Sequence, residues 1–345
     1  MPKIVIDRAI PFIEGVLEPF AEVVYLEGGA IGPADVRDAD ALIVRTRTKC
    51  DAALLEGSSV KIIATATIGT DHIDAGYCAR AGIFVQNASG CNAGGVANYV
   101  FSALYGVASR RTIKLDGASF GIIGVGNVGR RVEQIAKHLG FRVLRCDPPR
   151  AEEEGPYGFC SLDELLAESN IVTLHVPLQS DTIGMASDDF FDKMLPGAIF
   201  INACRGRVVD ESALKRAIPK LGPVIIDTWC NEPYVDRELI DMVQIATPHI
   251  AGYSYQGKQN GTAAVVRTVA RYFDFKPLFE FYPPTELKEL EAVKLDLRGK
   301  TQGEIAAILQ YNYPIFTDDF LFRMNPEDFE TIRTNYQYRR EFFVD

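Results

Sequence analysis

The sequence contains few of the residues from which metal centres and disulfide frameworks are built. Only four histidines occur among 345 residues, and they are separated from one another and from the cysteines. The sequence therefore shows no group of His and Cys residues with the spacing of zinc ligands. The seven cysteines are scattered, odd in number and without CxxC spacing, which indicates reduced thiols in a cytoplasmic protein. We therefore expect no metal site and a cytoplasmic location.

Long apolar runs and an excess of positive charge are also missing. No apolar run approaches the roughly 20 residues that span a bilayer, and the opening MPKIVIDRAIPF is typical of a buried strand and not of a signal peptide. The net charge of −10 argues against nucleic acid or an anionic membrane as partner, because the field of the protein repels phosphate. A small anionic substrate is still compatible with this charge where cations gather locally.

The chain does contain a repeated alternation of short β-rich apolar runs with helical stretches, which is typical of parallel sheets covered by helices. One series of strands runs from residue 3 to 86 and a second from residue 119 to 246. Within them, Phe12–Phe20 has the spacing of a helix, and Ser161-Leu162-Asp163-Glu164 has that of a helix capping box. We predict an α/β fold with two doubly wound parallel sheets, Rossmann or flavodoxin-like.

Three domains are predicted from this pattern. Residues 1–91 and 255–282 form a discontinuous substrate-binding domain, because a long helix from Gly257 to Phe275 is expected to cross back to the first sheet. Residues 92–254 form a dinucleotide-binding domain. Pro283-Pro284 marks a linker, and residues 283–345 form a small α+β domain.

A glycine-rich turn, Gly124-Val125-Gly126-Asn127-Val128-Gly129, lies between a predicted strand and a predicted helix. Its backbone N–H groups and the helix N-terminus suit a pyrophosphate, and Asp147 follows close to the offset of about 20 residues expected for a ribose ligand. Asp147 repels a 2′-phosphate, which favours NAD over NADP, whereas Arg150 nearby is a cation that can accept that phosphate. The alternative is a tight turn without a ligand.

Three polar residues follow in an order that suits oxidation of a 2-hydroxy acid. Arg205 lies just past a predicted strand, where ligands bind in such sheets, and its guanidinium matches a carboxylate. Glu232 and His249 follow the next two strands, so a carboxylate is expected to orient the imidazole as a base. The alternatives are a surface arginine, a solvated glutamate and a structural histidine.

In the first domain, Arg45-Thr46-Arg47-Thr48-Lys49 gathers three cations and two hydroxyls after a strand. This composition suits a phosphate group. A solvated basic turn is the alternative interpretation. A second hydroxyl-rich turn, Ala66-Thr67-Ile68-Gly69-Thr70, follows the next strand.

With these residues in view, the chain resembles the D-isomer-specific 2-hydroxyacid dehydrogenases from residue 1 to about 280, on the motifs INACRGRVVD, DTWCNEP and TPHIAGY. Within that family, VRTRTK, TATIGTDHID, CDPPR and HIAGYSYQGK are similar to the branch that oxidises 4-phosphoerythronate in pyridoxal phosphate biosynthesis. The resemblance implies an NAD-dependent oxidation of 4-phospho-D-erythronate, a phosphorylated 2-hydroxy acid. It gives Arg205, Glu232 and His249 the catalytic roles.

The resemblance also implies ligand contacts and an assembly. Substrate contacts are implied at Thr46, Thr67 and Tyr253, together with Arg45 of the basic turn. The protein is implied to be a homodimer that associates through residues 283–345. NAD contacts are implied at Asp147, Ala203, Cys204, Arg205, Asp227 and Gly252. Asn98 departs from the Glu that related helices generally carry. The alternatives are another D-2-hydroxy acid, such as 3-phosphoglycerate, and a non-catalytic NAD(H)-sensing regulator.

Overall fold

The structure is a computed structural model that describes residues 1–344. The chain packs into two compact units. Unit 1 comprises Met1–Asn92 and Tyr255–Leu290, and unit 2 comprises Ala93–Ser254 and the segment from Glu291 onward. Each unit contains a parallel sheet, of five strands in unit 1 and of six in unit 2, which confirms the predicted α/β fold.

Strands and helices alternate through both units. The strands are β1 (Lys3–Asp7), β2 (Glu22–Leu26), β3 (Ala41–Val44), β4 (Ile62–Thr65), β5 (Phe84–Asn87), β6 (Ser119–Ile123), β7 (Arg142–Cys146), β8 (Ile171–Leu174), β9 (Ile199–Asn202), β10 (Val224–Ile226), β11 (Ile245–Ala246), β12 (Val293–Leu295) and β13 (Phe342–Val344). The α-helices are α1 (Pro33–Val36), α2 (Ala52–Leu55), α3 (Ala75–Ala81), α4 (Ala93–Arg111), α5 (Asn127–His138), α6 (Pro148–Glu154), α7 (Leu162–Glu168), α8 (Asp188–Lys193), α9 (Glu211–Ala217), α10 (Arg237–Met242), α11 (Tyr255–Phe273), α12 (Gln302–Asn312), α13 (Ile315–Met324) and α14 (Phe329–Thr334).

The sheet of unit 1 has the strand order β2-β1-β3-β4-β5, with all neighbours parallel. Strands β3 and β4 are buried throughout, as expected for apolar runs in a parallel sheet that is covered on both faces. Val265, Val266 and Val269 of α11 pack with Ile6 and Ile43 on one face. The chain passes from β1 to β2 on one side and to β3 on the other. The carboxyl ends of β1 and β3 therefore mark the switch point, where such sheets bind ligands.

The sheet of unit 2 has the strand order β11-β10-β9-β8-β6-β7, again with all neighbours parallel. The chain passes from β6 to β7 on one side and then to β8 on the other side of β6. The switch point therefore lies between the carboxyl ends of β6 and β8. Because the strands are parallel, the loops after all six lie along the same edge of the sheet.

Helix α4 is the central helix of unit 2. It is buried along most of its length, and it packs against α5 and α12. The C-terminal segment contributes Phe322, Phe329 and Phe342 to the same hydrophobic clusters as the six-stranded sheet. A separate dimerisation domain over residues 283–345 stays a prediction.

The predicted helix over Phe12–Phe20 is wrong, because these residues form a series of turns. Phe12 and Gly15 have φ angles of 61° and 82°, which a right-handed helix does not accommodate. Ile13 and Leu17 are nevertheless buried, so their spacing indicated burial and not a helix. The capping box is present, since Ser161 accepts from the Glu164 N–H and the Glu164 carboxylate accepts from the Ser161 N–H.

In the part of the chain that the structure describes, none of the seven cysteines is in a disulfide. No helix within residues 1–344 has both the length and the apolar character needed to cross a membrane. The same residues bring together no group of three or more His, Cys, Asp or Glu side chains that would hold a metal ion.

Candidate active site

The glycine-rich turn of unit 2 joins β6 to α5 at the switch point. Each of its three glycines is required for a different structural reason. Gly124 has a φ angle of 84°, and a Cβ there would lie 2.7 Å from the His175 carbonyl oxygen. A Cβ at Gly129 would lie 2.1 Å from the Gly124 carbonyl oxygen, so this glycine lets α5 pack on the turn. A Cβ at Gly126 would meet nothing within 4 Å. The backbone at Gly126 is thus open to a pyrophosphate, as a dinucleotide requires.

Asp147 at the end of β7 is tied to this turn. Its Oδ2 accepts a hydrogen bond from the Val125 N–H at 2.7 Å, and its Oδ1 accepts from the Arg150 N–H at 3.1 Å. The Arg150 guanidinium donates to the Val125 carbonyl at 2.7 Å and pairs with Glu154. Arg150, the cation that can accept a 2′-phosphate, therefore has local partners in Val125 and Glu154, and the carboxylate of Asp147 lies beside the turn.

The loop after β9 carries Arg205. The Asn202 side chain braces it, because Oδ1 accepts from the Cys204 N–H at 3.1 Å and Nδ2 donates to the Arg205 carbonyl at 3.2 Å. The Arg205 guanidinium donates to the Cys204 carbonyl at 2.7 Å, and the residue is half-buried. Ala203 and Cys204 are buried, and burial raises the pKa of the Cys204 thiol to about 11. The loop therefore presents a fixed guanidinium at the carboxyl edge of the sheet.

Gly206 brings this loop against the loop after β10. A Cβ at Gly206 would lie 1.9 Å from both the carbonyl carbon and the carbonyl oxygen of Trp229, so only a glycine fits between the two backbones. The contact fixes Arg205 relative to the loop that carries Glu232. Trp229 itself is anchored, since its indole N–H donates to the Thr247 carbonyl at 2.9 Å.

Glu232 and His249 form a hydrogen-bonded pair. His249 Nδ1 lies 2.8 Å from Glu232 Oε2, and Glu232 Oε1 accepts from the Trp229 N–H at 2.9 Å. An ionised carboxylate can only accept, so Nδ1 carries the proton and Nε2 is left as an acceptor. The side chains of His249 and Glu232 are 30% and 22% exposed, which leaves the pair accessible to a ligand.

Several charges act on the Glu232 carboxyl. Burial alone raises its pKa, but the charge of His249, the hydrogen bonds from His249 and Trp229, and the charge of Arg333 outweigh burial and lower the pKa below its ordinary value. Glu232 is therefore ionised at neutral pH. Arg333 belongs to α14, and its guanidinium carbon lies 5.8 Å from the centre of the Tyr253 ring.

The backbone of His249 is held in an uncommon conformation. Its φ angle is 56°, in the left-handed region that few residues other than glycine adopt. Its N–H donates to the Asp227 carbonyl at 2.7 Å. The buried Asp227 carboxylate accepts from the Thr247 hydroxyl at 2.7 Å and from the N–H groups of Ile250 and Ala251 at 2.8 and 3.0 Å. Asp227 thus fixes the loop on both sides of His249.

The remaining residues named by the resemblance lie on both units. In unit 2, Gly252 and Tyr253 are half-buried, and the Tyr253 ring packs against Tyr336 and Tyr338 with centroids 5.9 and 6.3 Å apart. In unit 1, Arg45 follows β3 at the switch point, where its Nε lies 3.3 Å from Oδ2 of the buried Asp7.

The two threonines of unit 1 follow neighbouring strands. Thr46 is exposed beside Arg45, and Thr67 is half-buried. The Thr67 hydroxyl is 2.7 Å from the Thr65 hydroxyl and donates to the Gly69 carbonyl at 3.0 Å. Both threonines therefore lie at the carboxyl edge of the sheet in unit 1.

Sequence reasoning did not find the residues that support this site. Asn202 carries a signal that the sequence shows, since an amide at the last position of a strand is suited to brace the following turn. Thr247, Arg333 and Arg339 carry no comparable signal. The two arginines come from a segment some 80 or 90 positions after the residues that they contact, Tyr253 and Ile250.

Comparisons with known proteins agree with this geometry. Residues 103–251 match the family model described as D-isomer specific 2-hydroxyacid dehydrogenase, NAD binding domain. The chain is 44% identical to a protein of Bacteroides thetaiotaomicron named erythronate-4-phosphate dehydrogenase, over 98% of this chain and 97% of that protein.

Two solved structures with bound NAD are similar over most of the chain. D-lactate dehydrogenase from Aquifex aeolicus, complexed with NAD and lactic acid, has a TM-score of 0.67 at 26% identity and covers 80% of this chain and 96% of its own. NAD+-bound 3-phosphoglycerate dehydrogenase in Entamoeba histolytica has a TM-score of 0.67 at 27% identity and covers 83% of this chain and 99% of its own.

Proposed function

The chain belongs to the erythronate-4-phosphate dehydrogenase family, within the D-isomer-specific 2-hydroxyacid dehydrogenases, and we propose that it oxidises 4-phospho-D-erythronate with NAD in pyridoxal phosphate biosynthesis. The product is 3-hydroxy-2-oxo-4-phosphobutanoate. The observation that carries the proposal is the 2.8 Å hydrogen bond between Glu232 Oε2 and His249 Nδ1, because a non-catalytic NAD(H) sensor does not need an oriented base. The Arg205 loop packs directly against the loop of that pair through Gly206.

The proposed chemistry removes two hydrogens from the C2 alcohol. The C2 hydrogen leaves with its electron pair, and NAD, when held by the glycine-rich turn and Asp147, would supply the two-electron acceptor for it. His249 Nε2 accepts the hydroxyl proton as the C2–O bond becomes a carbonyl. The ionised Glu232 stabilises the imidazolium that forms. The Arg205 guanidinium binds the substrate carboxylate in a bidentate manner.

Cofactor contacts are proposed for the loops along the carboxyl edge of the sheet in unit 2. The open backbone at Gly126 supports a pyrophosphate on the N–H groups of Asn127 and Val128, and Asp147 is proposed to bind the ribose. Further contacts are proposed at Ala203, Cys204, Arg205, Asp227 and Gly252. Because the Asp227 carboxylate already accepts three hydrogen bonds, its contact with NAD would add to a role in holding the loop.

Substrate contacts are proposed for Arg45, Thr46, Thr67 and Tyr253. A guanidinium and hydroxyls are the donors that a phosphate group prefers. The ion pair with buried Asp7 supports this role for Arg45, because it fixes the guanidinium at the switch point of its sheet. The cytoplasmic location expected from the sequence stays a prediction.

A substrate panel tests this function. We expect kcat/KM for 4-phospho-D-erythronate to exceed that for 3-phosphoglycerate by about 10²-fold or more, because a site that hydrogen-bonds an extra hydroxyl discriminates against an acid that lacks it. The measurement is nicotinamide reduction at varied acid concentration, with a 2-oxo acid added in a parallel reaction. A preference for phosphoglycerate would instead favour the related reaction, and no turnover of any D-2-hydroxy acid would favour the regulator.

We also propose a homodimer formed through the C-terminal segment. Phe320, Leu321 and Met324 on α13 and Tyr311 on α12 are each at least half exposed, and exposed apolar patches mark protein–protein contacts. Phe320→Glu is expected to convert the dimer to a monomer in sedimentation equilibrium. Tyr157→Glu, at an aromatic residue that is 97% exposed elsewhere in unit 2, should leave the dimer intact. A monomeric wild-type protein at micromolar concentration would exclude the dimer.

A further inference from the structure

One buried guanidinium holds the backbone that follows His249. Arg339, in the segment between α14 and β13, donates from Nη1 to the carbonyl oxygens of Ile250 and Tyr253, both at 3.1 Å. Its Nη2 donates to the Ala251 carbonyl and, at 3.1 Å, to the Gly95 carbonyl at the start of α4. Three of these four acceptors belong to the loop of residues 250–253.

That loop has no strand or helix to satisfy its backbone, because β11 ends at Ala246 and α11 begins at Tyr255. The N–H groups of Ile250 and Ala251 donate to the Asp227 carboxylate, and the carbonyl groups of the same two residues accept from Arg339. The Ile250 carbonyl also accepts from the Tyr253 N–H at 2.8 Å, so the dependence on Arg339 is greatest at Ala251 and Tyr253. A buried carbonyl without a donor costs about 1–3 kcal/mol. Asp227 and Arg339 therefore satisfy opposite sides of one peptide segment.

Arg339 is itself held in place by the C-terminal segment and its surroundings. Its guanidinium carbon lies 4.0 Å from the centre of the Tyr313 ring, and Nη1 donates to the Tyr336 hydroxyl at 3.2 Å. That hydroxyl donates to Asp318 at 2.9 Å. The guanidinium is thus buried between an aromatic face and a carboxylate-linked hydroxyl, an arrangement that fixes its orientation.

The segment after Arg339 is fixed to α4 as well. The Asn98 side chain donates to the Phe342 carbonyl at 2.8 Å and accepts from the Phe342 N–H at 2.9 Å. Glu341 accepts from the Ser254 hydroxyl at 2.6 Å. A glutamate at position 98 would lack the donor for the Phe342 carbonyl, so the two bonds require the amide of Asn98.

We propose that Arg339 is a positioning residue for catalysis: by binding the carbonyls of Ile250, Ala251 and Tyr253, it keeps His249 in the left-handed conformation that directs the imidazole to Glu232. The proposal rests on the proposed dehydrogenase function. It assigns the C-terminal segment a part in the active site of its own subunit, in addition to any part in assembly. The competing explanation is that Arg339 only stabilises the fold.

Arg323 provides a matched control. It is also an arginine of the C-terminal segment, and it donates to the backbone carbonyls of Val243, at 2.9 Å, and of Ile240, at the end of α10. Methionine keeps much of the volume of arginine and removes the donors. Arg339→Met and Arg323→Met therefore delete the same kind of interaction, at the catalytic loop in one case and away from it in the other.

Two readouts on full-length protein separate positioning from stability. We expect Arg339→Met to lower kcat, per folded enzyme, by about 10²-fold, as a displacement of about 1 Å does in an active site. We expect hydrogen exchange at the amides of Ile250 and Ala251 to accelerate by about tenfold or more. Arg323→Met should keep kcat within about threefold of wild type and leave exchange at these two amides unchanged. We expect this even if Arg323→Met lowers Tm by as much as Arg339→Met does.

The proposal is overturned if Arg339→Met matches Arg323→Met in kcat and exchange, or if kcat falls without faster exchange at residues 250 and 251. Should Arg339→Met fail to fold, Arg339→Lys decides by the same readouts, because lysine keeps the charge but cannot reach all the carbonyls. The exchange measurement needs no substrate. A wild-type enzyme that does not oxidise phosphoerythronate would therefore refute the proposed function and leave the positioning of the loop separately testable.

Discussion

Replacing His249 with alanine is expected to lower kcat by about 10³-fold or more, which is within the range for loss of an oriented acid–base group. The reason is that Nε2 of this imidazole is left to accept the substrate proton, since Nδ1 lies 2.8 Å from the ionised Glu232. NAD affinity should change little, because the glycine-rich turn and Asp147 are unaltered. The measurements are kcat at saturating acid and NAD, and NAD binding by fluorescence titration.

The left-handed backbone of His249 calls for a second variant. At a φ of 56°, asparagine is tolerated better than alanine, so His249→Asn removes the base with less change in stability and should lose the same activity. His138→Ala is the histidine control, because His138 is exposed at the end of α5. Turnover within about tenfold of wild type in both His249 variants would place the base elsewhere.

The parts of the site that the sequence predicts best are those that depend on short-range backbone rules. The three glycines at 124, 126 and 129 are readable because a tight turn, an open approach and helix packing each require the absence of a Cβ. The order Arg205, Glu232, His249 can be predicted because each residue lies in the loop after one of three successive strands, and the ends of parallel strands share an edge. Local sequence therefore suffices to place these residues at one edge of one sheet.

The features that the sequence does not predict depend on long-range contacts. Arg339 binds carbonyls 86 to 89 positions earlier in the chain, and no periodicity or motif records such a pairing. The wrongly predicted helix at Phe12–Phe20 also involves a long-range contact. The spacing of Ile13 and Leu17 reflects the burial of both residues, whereas the Phe12 ring packs edge-on against Tyr255, far later in the chain. Burial patterns predict which residues face a core and do not fix the backbone path between them.

Gly206→Ala is expected to reduce both stability and activity, because one methyl group would separate the two catalytic loops. The new Cβ would lie 1.9 Å from the Trp229 carbonyl carbon and oxygen and 2.5 Å from the Cys230 nitrogen. These are backbone atoms, so no side-chain rotation relieves the clash. We expect the free energy of unfolding to fall by about 3 kcal/mol, the upper end of overpacking costs. We expect kcat/KM to fall by about 10²-fold, as Arg205 moves away from Glu232.

Gly303→Ala is the matched control for this substitution. A Cβ at Gly303 would meet nothing within 4 Å, and the residue is exposed in the first turn of α12, so alanine should raise stability by up to about 1 kcal/mol and leave kcat/KM unchanged. Urea unfolding followed by circular dichroism measures the global effect. Because Trp229 is the single tryptophan, its fluorescence in the native state reports the local effect at the contact. If Gly206→Ala had the unfolding free energy and kcat/KM of the wild type, the close spacing of these two backbones would not determine the relative positions of Arg205 and Glu232.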